Sequence, residues 1–238
     1  MLKRKGINSV IGELKQKLFD EEFIIDKEGT KTVEVINANF EADSSYILRE
    51  PNLDYVQREV DWYNSQSLNV NDIDGKLPKI WLNISSDNGF INSNYGYLIH
   101  NSENHDQYEN TAWALLQDPT SRRAIMIYTR PSMHYDYDSC GMNDFVCTNT
   151  VQYLLRDGFL DVIVNMRSND AVYGYNNDWH WQRYVQENMC RTLNDSGTNW
   201  ADIFDGIVRP GKIHWNAGSF HVYERHFKIL EDYNESDS

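Results

Sequence analysis

With 238 residues, 40% of them hydrophobic, the chain is long enough for one large domain over residues 1–238, and no stretch of it resembles a linker. The formal net charge of −14 argues against non-specific binding to nucleic acid, so an anionic ligand would require a local cluster of basic residues. The cysteines and histidines show no metal-ligand spacing, and neither a signal peptide, a membrane-spanning apolar run nor a glycine-rich phosphate loop is recognised, so we expect a metal-free protein of the reducing cytosol.

Apolar periodicity predicts helices and short strands along the first half of the chain. Apolar residues at helical spacing indicate an amphipathic helix within residues 1–19, a second over residues 52–66 and a third over residues 105–117. The apolar face of the second helix comprises Leu53, Val56, Val60 and Tyr63. Alternation after a turn at residues 26–29 indicates a strand over residues 32–36, and the segment AIMIYT indicates another.

Several polar or aromatic residues in this half could be either functional or structural. Glu59 lies at the margin of the second helix's apolar face, where a glutamate is either an edge charge or a functional acid. A turn-rich stretch contains Trp81 and Tyr95, and a lone tryptophan is more often a core residue than a ligand contact. The adjacent Arg122 and Arg123 would, in an acidic protein, usually belong to a solvated face.

The second half contains a predicted hairpin that carries a thiol and a guanidinium. Residues 151–155 and 159–166 read as two antiparallel strands joined at Asp157-Gly158, because glycine adopts positive φ at little cost. Cys147 begins the first strand and Arg167 ends the second, so the hairpin would bring them to the same end. A neighbouring guanidinium is expected to lower the pKa of the thiol and so favour the nucleophilic thiolate.

The last third is predicted to contain one helix and one strand. The helix spans residues 177–193 and begins near Asp178, and the strand spans residues 211–223. On such a strand His221 and Tyr223 share a face, because alternate side chains point to the same side. Without further information a core pair would be the simpler interpretation.

The spacing of these residues resembles the catalytic half of the thymidylate synthase superfamily. That pattern is Cys, Gln five residues later, a DG turn, Arg-Ser-x-Asp, then Gly and a residue that reads the base. The chain matches it without a gap at Cys147, Gln152, Asp157-Gly158, Arg167, Ser168, Asp170, Gly174 and Asp178.

Asp178 indicates a branch of the superfamily. Members that take deoxyuridylate have Asn there, whose amide both donates and accepts, whereas an ionised carboxylate only accepts. An acceptor suits the amino group of cytosine and disfavours the carbonyl of uracil. With Asp178 and the segments TNTVQYL, NMRSND and HVYERHF, the chain is similar to the deoxycytidylate hydroxymethylases of large DNA phages.

The resemblance implies an α/β (α+β) fold, in which helices flank a large mixed β-sheet, and a homodimer that packs sheet against sheet. PTSRRAIMIYTRP matches the family's PxSRR, so Arg122 and Arg123 would cross the interface to the partner's bound phosphate, which paired guanidiniums suit. Lys27, where the family has arginine, would be either a further phosphate contact or an exposed turn residue.

The resemblance also implies a reaction between dCMP and 5,10-methylenetetrahydrofolate. Cys147 would add to carbon 6 so that carbon 5 can attack the one-carbon unit, and Arg167 would favour the thiolate. Asp178 would stabilise protonation of the ring nitrogen next to the amino group, and water held by Glu59 and Tyr95 would remove the proton from carbon 5. In a hydroxymethylase water then adds, which gives 5-hydroxymethyl-dCMP and tetrahydrofolate, whereas thymidylate synthase transfers a hydride.

The remaining roles are those of binding. The substrate contacts implied by the family are Arg167, Ser168, Arg122, Arg123, Lys27, Gln152, His221 and Tyr223, of which the last two would hold the sugar hydroxyl. The folate contacts implied by the family are Trp81, Asp170 and Gly174.

Two alternatives remain open at this point. A thymidylate synthase or hydroxymethylase of the same fold acting on dUMP is disfavoured by Asp178. A noncatalytic nucleotide-binding scaffold, associated with other nucleotide-synthesis enzymes, is disfavoured by the joint presence of Cys147, Glu59, Arg167 and Asp170, because binding alone has no use for the thiol.

Overall fold

The structure is a computed structural model of the chain and describes residues 6–26, 29–204 and 206–233. Its helices are α1 (Ile7–Phe19), α2 (Leu53–Ser65), α3 (Lys79–Ile84), α4 (Tyr95–His100), α5 (Gln107–Gln117), α6 (Met133–Asp136), α7 (Gly174–Asp195) and α8 (Phe227–Asp232). Its strands are β1 (Ile24–Ile25), β2 (Lys31–Glu41), β3 (Ile125–Ile127), β4 (Thr148–Arg156), β5 (Phe159–Asp170) and β6 (Arg209–Tyr223). None of these helices is long and apolar enough to span a bilayer.

The six strands form one mixed sheet in the order β1-β2-β6-β5-β4-β3, so the predicted mixed sheet is confirmed. Neighbouring strands are antiparallel except β5 and β6, which run parallel. Parallel neighbours need a long crossover connection. Helix α7 lies between them in the chain and packs against both, so the residues at its start lie beside the end of β5.

The predicted hairpin is the β4–β5 pair. Arg156 pairs with Phe159, which leaves Asp157 and Gly158 as a two-residue loop, and both have positive φ, 50° and 79°. These angles are typical of the hairpin turn that matches the twist of its strands. The two strands extend beyond the predicted limits, and Cys147 directly precedes β4.

Alternation along the strands divides the sheet into a core face and an opposite face. The opposite face carries a row of hydrogen-bonded polar side chains that crosses four strands in register. We call it the amide row after its three asparagines, and it consists of Asn39, Asn216, Asn165 and, at its end, the hydroxyl of Thr150. Asn216 donates to Asn165 at 3.0 Å, and Asn165 donates to Thr150 at 3.1 Å. Exposed isoleucines share the outer side of the strands, including Ile36 (75% exposed) and Ile127 (54%).

Helix α2 buries Val56, Val60 and Tyr63 as predicted, but the prediction for Leu53 is wrong, since this residue is 64% exposed. Leu53 is the first residue of the helix, one turn before the face that meets the core. Helix α4 approaches α2 very closely. A Cβ atom at Gly96 would lie 1.8 Å from the carbonyl oxygen of Tyr63, so only glycine permits this contact.

Helix α7 begins at Gly174 and not at residue 177, so the predicted start is wrong. The asparagines near its start resemble turn residues in the sequence, but the side-chain N–H groups of the buried Asn176 find carbonyl partners in the fold. Its amide donates to the carbonyls of Arg49 and Val172 at 2.7 and 3.1 Å. Asp178 therefore lies in the second turn of the helix, where the helix backbone fixes its direction.

Candidate active site

Cys147 and Arg167 lie at the same end of the β4–β5 hairpin, as predicted. The backbone N–H of Arg167 donates to the carbonyl of Cys147 at 2.9 Å. The guanidinium donates to the carbonyls of Val146 and Phe145 at 3.1 and 2.5 Å, and its Nη2 atom lies 3.6 Å from the sulfur of Cys147. The Arg167 side chain is therefore held by the segment that precedes β4 and contains Cys147.

The predicted lowering of the Cys147 pKa is wrong. Burial raises the pKa of the thiol to about 11, Arg167 lowers it by less, and the carboxylates of Asp178 and Asp144 raise it further. Desolvation of the charged form thus outweighs the attraction of the guanidinium. The thiol is protonated at neutral pH, and its attack on a ligand requires a base that accepts this proton.

Asp178 faces the same site from α7. The amide of Asn169 donates to Asp178 Oδ2 at 2.8 Å, while the indole of Trp215 donates to the oxygen of Asn169 at 3.2 Å. Because an indole can only donate, this contact fixes the orientation of the Asn169 amide. Burial raises the pKa of Asp178 to about 8, with a further contribution from Glu59, so the carboxyl group is largely protonated at neutral pH.

Glu59 is 4% exposed and lies between two aromatic donors. The hydroxyl of Tyr55 donates to Glu59 Oε1 at 2.5 Å, and the indole of Trp81 lies 3.3 Å from the same oxygen. Burial raises the pKa of Glu59 to about 7, against the lowering effect of these two hydrogen bonds. At neutral pH both protonation states are populated, which suits a group that accepts and returns a proton.

Trp81 and Tyr95 are both part of the core beside the site. Trp81 is 8% exposed and packs edge-on against Trp62 at 5.2 Å, so it is joined to Glu59 rather than standing as an open shelf. The hydroxyl of Tyr95 accepts a hydrogen bond at 3.0 Å from Thr148, the residue after Cys147. Burial raises the pKa of Tyr95, and the negative charges of ionised Asp178 and Cys147 raise it further by smaller amounts, so the hydroxyl remains protonated.

His221 lies on β6 opposite Asp170 of β5, with its ring 4.9 Å from that of Tyr223. The resembling family usually has Asp two residues before the His, where this chain has Ser219. Ser219 donates to the carboxylate of Glu34 on the neighbouring β2 and lies 3.4 Å from His221 Nδ1. The Ser219 hydroxyl therefore lies between His221 and a carboxylate that belongs to another strand, that of Glu34.

Asp170, Ser168 and Gly174 lie near this group. The Asp170 carboxylate accepts from the N–H of Val172 at 3.0 Å, which shapes the turn into α7. Ser168 pairs with Ser219 across the parallel strands. A Cβ atom at Gly174 would lie 3.4 Å from Asp170 and 3.9 Å from the Asp178 carboxylate, so Gly174 adjoins both carboxylate residues.

Three predicted phosphate or substrate contacts are not brought into this group within one chain. Gln152 lies between the fully buried Val151 and Tyr153 and therefore points to the outer side of the sheet, where it donates to the carbonyl of Arg122 at 2.8 Å. Arg122 and its neighbour Arg123 are both exposed. Lys27 lies outside the described residues.

Sequence reasoning missed four residues of the site, namely Tyr55, Asn169, Thr148 and Glu34. Tyr55 could have been found, because it lies one helical turn before Glu59. Asn169 and Thr148 adjoin matched motif positions but carry no signal of their own. Glu34 has none, since only the pairing of β2 with β6 brings it to His221.

Comparison with known proteins gives consistent matches over most of the chain. The thymidylate synthase family model matches residues 14–235. The deoxycytidylate 5-hydroxymethyltransferase of Enterobacteria phage T4 is 49% identical over 216 residues, which cover 90% of this chain and 85% of that protein. The enzyme of the same name from Enterobacteria phage T6 is 49% identical over 214 residues, with the same shares of the two chains.

Among solved structures, the thermostable thymidylate synthase A from Bacillus subtilis matches with a TM-score of 0.66. The match covers 95% of this chain and 83% of that chain at 20% sequence identity. This likeness shows the fold, and the predicted thymidylate synthase-like architecture is confirmed.

Proposed function

Because the chain belongs to the thymidylate synthase family, we propose that it hydroxymethylates dCMP at carbon 5, with 5,10-methylenetetrahydrofolate as co-substrate. The products would be 5-hydroxymethyl-dCMP and tetrahydrofolate. The 49% identity to phage proteins named deoxycytidylate 5-hydroxymethyltransferase supports the reaction type, and the proposed setting is the cytoplasm of a phage-infected bacterium. The single observation that carries the choice of base is Asp178, held by Asn169 at the site of the thiol.

Asp178 would both recognise and activate cytosine. As a neutral acid it can give its proton to the ring nitrogen beside the amino group, and the resulting carboxylate then accepts from both the N–H and the amino group. Uracil carries an N–H instead of a basic ring nitrogen at this position, so it cannot take the proton and gains only neutral hydrogen bonds, without the ion pair that cytosine forms. Protonation also withdraws electrons from the ring and so favours addition of a nucleophile at carbon 6.

Cys147 would form the bond to carbon 6, with its proton passed to a base. Arg167, whose Nη2 atom is 3.6 Å from the sulfur, favours the thiolate as it forms. Carbon 5 thereby gains nucleophilic character. Glu59 and Tyr95 would hold the water that takes the proton from carbon 5, since the pKa of Glu59, raised by burial to about 7, allows transfer in either direction.

The folate would bind beside α3 and the start of α7. Ile80 and Leu82 are 59% and 56% exposed on either side of Trp81 and would offer apolar surface to the folate. Asp170 and Gly174 are the contacts that we propose at the start of α7. When bound, the folate supplies the one-carbon unit at the oxidation level of formaldehyde. The chain's own residues would position the pyrimidine and transfer protons to and from it.

A homodimer would complete the phosphate site. Arg167 and Ser168 lie on the site's own chain, whereas Arg122 and Arg123 are exposed beside β3. The outer sheet face combines exposed isoleucines with the amide row, whose hydrogen bonds are already made within the chain. Such a face suits pairing of sheet against sheet about a two-fold axis, with Arg122 and Arg123 reaching the partner's phosphate.

The function is tested by tritium release from carbon 5 of labelled dCMP and, separately, dUMP with methylenetetrahydrofolate, with the nucleotide product identified by mass. We expect release from dCMP, a hydroxymethyl product and no dihydrofolate. Release from dUMP with dihydrofolate would instead make the chain a thymidylate synthase. No release from either base, with nucleotide still bound, would favour a scaffold.

The shared site predicts complementation between two inactive variants. Arg123→Ala and Cys147→Ser should each lose activity, but after equal mixing and subunit exchange about one quarter of wild-type activity should return, because half the dimers are mixed and each has one intact site. The measurement is dCMP turnover after mixing. As a matched control, Arg122→Ala mixed with Arg123→Ala should restore nothing, since each mixed site still lacks one arginine. Failure of the first mixture to gain activity would contradict the shared site.

A further inference from the structure

Tyr55, Glu59 and Trp81 form a compact hydrogen-bonded cluster beside the proposed pyrimidine site. Tyr55 and Glu59 are one turn apart on α2, so their side chains meet on one face. The indole of Trp81 donates to the hydroxyl of Tyr55 at 2.7 Å, and this hydroxyl donates to Glu59 Oε1 at 2.5 Å. The indole also lies 3.3 Å from the same carboxyl oxygen.

Chemistry fixes the direction of these hydrogen bonds. An indole N–H can only donate, so the Tyr55 hydroxyl oxygen accepts a hydrogen bond from Trp81 and the Tyr55 O–H donates to the carboxylate of Glu59. Both donors reach the same oxygen. The carboxyl group is thereby held at Oε1, and Oε2 is the oxygen that can turn toward a water or the pyrimidine.

Tyr55 is itself anchored from its other side. The guanidinium of Arg58 lies 5.4 Å from the centre of the Tyr55 ring and pairs with Asp54 at 3.1 Å. Arg58 also donates to the carbonyls of Asp74 and Lys76, which ties α2 to the loop before α3. The ring of Tyr55 therefore packs against an arginine that links α2 to the loop before α3.

We propose that Tyr55 is a positioning residue for hydroxymethyl transfer, which holds Glu59 by one carboxyl oxygen so that the other serves the proton transfers at the pyrimidine. The inference rests on the proposed function. It also has an electrostatic consequence: burial raises the pKa of Glu59, and Tyr55 provides the largest opposing contribution, ahead of Trp81. Without the hydroxyl a smaller fraction of Glu59 would be ionised at neutral pH.

Tyr55→Phe tests the proposal, because it keeps the ring against Arg58 and removes only the hydroxyl. We expect the acid limb of the pH profile of kcat for dCMP to move up by about one pH unit. A hydrogen bond to the ionised carboxylate favours this form over the protonated one by about tenfold, so its loss should raise the pKa of Glu59 by about one unit. Activity should fall about tenfold on the acid side, while the alkaline limb, which reflects ionisation of Asp178, stays where it is in the wild type and the KM for dCMP stays within about twofold. An unchanged profile would leave Tyr55 as a structural link only.

Tyr184→Phe is the matched control. Its hydroxyl accepts from Asn64 at 2.8 Å and so also links α2 to another element, but it has no contact with Glu59 among the described hydrogen bonds. This variant should leave the acid limb where it is in the wild type. A shift of equal size would overturn the assignment, because loss of any inter-element hydroxyl would then suffice.

A second measurement does not depend on turnover. The carboxyl stretch of Glu59, assigned by its loss in Glu59→Gln, can be followed by infrared difference spectroscopy as the pH is varied without substrates. The pKa of Glu59 should rise in Tyr55→Phe, and an unshifted titration would overturn the proposal. If the titration shifts while neither pyrimidine releases tritium from the wild type, the proposed function fails but the contact of Tyr55 with Glu59 is supported.

Discussion

Cys147→Ser is expected to reduce dCMP turnover by at least about four orders of magnitude while dCMP binding stays within about threefold of wild type. The serine hydroxyl occupies nearly the same space and leaves Arg167 in place, but it is a much poorer nucleophile at carbon 6. Tritium release measures turnover, and calorimetric titration with dCMP measures binding.

Cys140→Ser is the matched control for this substitution, because Cys140 is an exposed free cysteine. It should retain wild-type turnover. Substantial tritium release by the Cys147 variant would contradict the covalent mechanism, whereas loss of both binding and turnover would indicate that the substitution disturbs the site as a whole.

Asp178→Asn is expected to reverse the preference between bases, with the ratio of kcat/KM for dCMP to that for dUMP changing by at least about 1,000-fold. An amide cannot give up a proton to the ring nitrogen of cytosine, but it can donate to the carbonyl of uracil and accept from its N–H. Steady-state kinetics with both nucleotides measure the ratio. The exposed Asp61→Asn should leave it unchanged. Full dCMP selectivity in the Asp178 variant would refute the assigned role.

The same substitution should alter the pH dependence of stability. Because burial raises the folded-state pKa of Asp178 from the ordinary 3.8 to about 8, its protonated form contributes stability that is present below pH 3.8 and is lost as the pH rises through 8. Asparagine does not titrate. The free energy of unfolding of Asp178→Asn minus that of the wild type should therefore increase between pH 4 and 9. Urea denaturation of both proteins at each pH measures this difference.

The elements that could be predicted from the sequence are those determined by local signals. Asp157-Gly158 supports positive φ and pairs β4 with β5, which is sufficient to bring Cys147 beside Arg167. The motif spacing likewise identified Asp178. These inferences required only turn chemistry, alternation and a family pattern.

The features that could not be predicted from the sequence depend on burial and on contacts between strands that are distant in the chain. The pKa of Cys147 is raised to about 11 because desolvation outweighs Arg167, and no sequence pattern gives the balance between them. The start of α7 includes Asn176, whose side-chain amide donates to the carbonyl of Arg49 from a distant part of the sequence. Glu34 reaches Ser219 only through the pairing of β2 with β6.

The strand order also bears on how the chain folds. Residues from Cys147 to Asp178 form a continuous segment whose hairpin closes across a two-residue loop, whereas β2 meets β6 with Thr32 opposite Tyr223, near the other end of the chain. Contacts between distant parts of a sequence carry a larger entropic cost of loop closure and slow folding. This topology favours early assembly of the part of the site around Cys147, which a growing chain can form before β6, the strand that carries His221, has been synthesised.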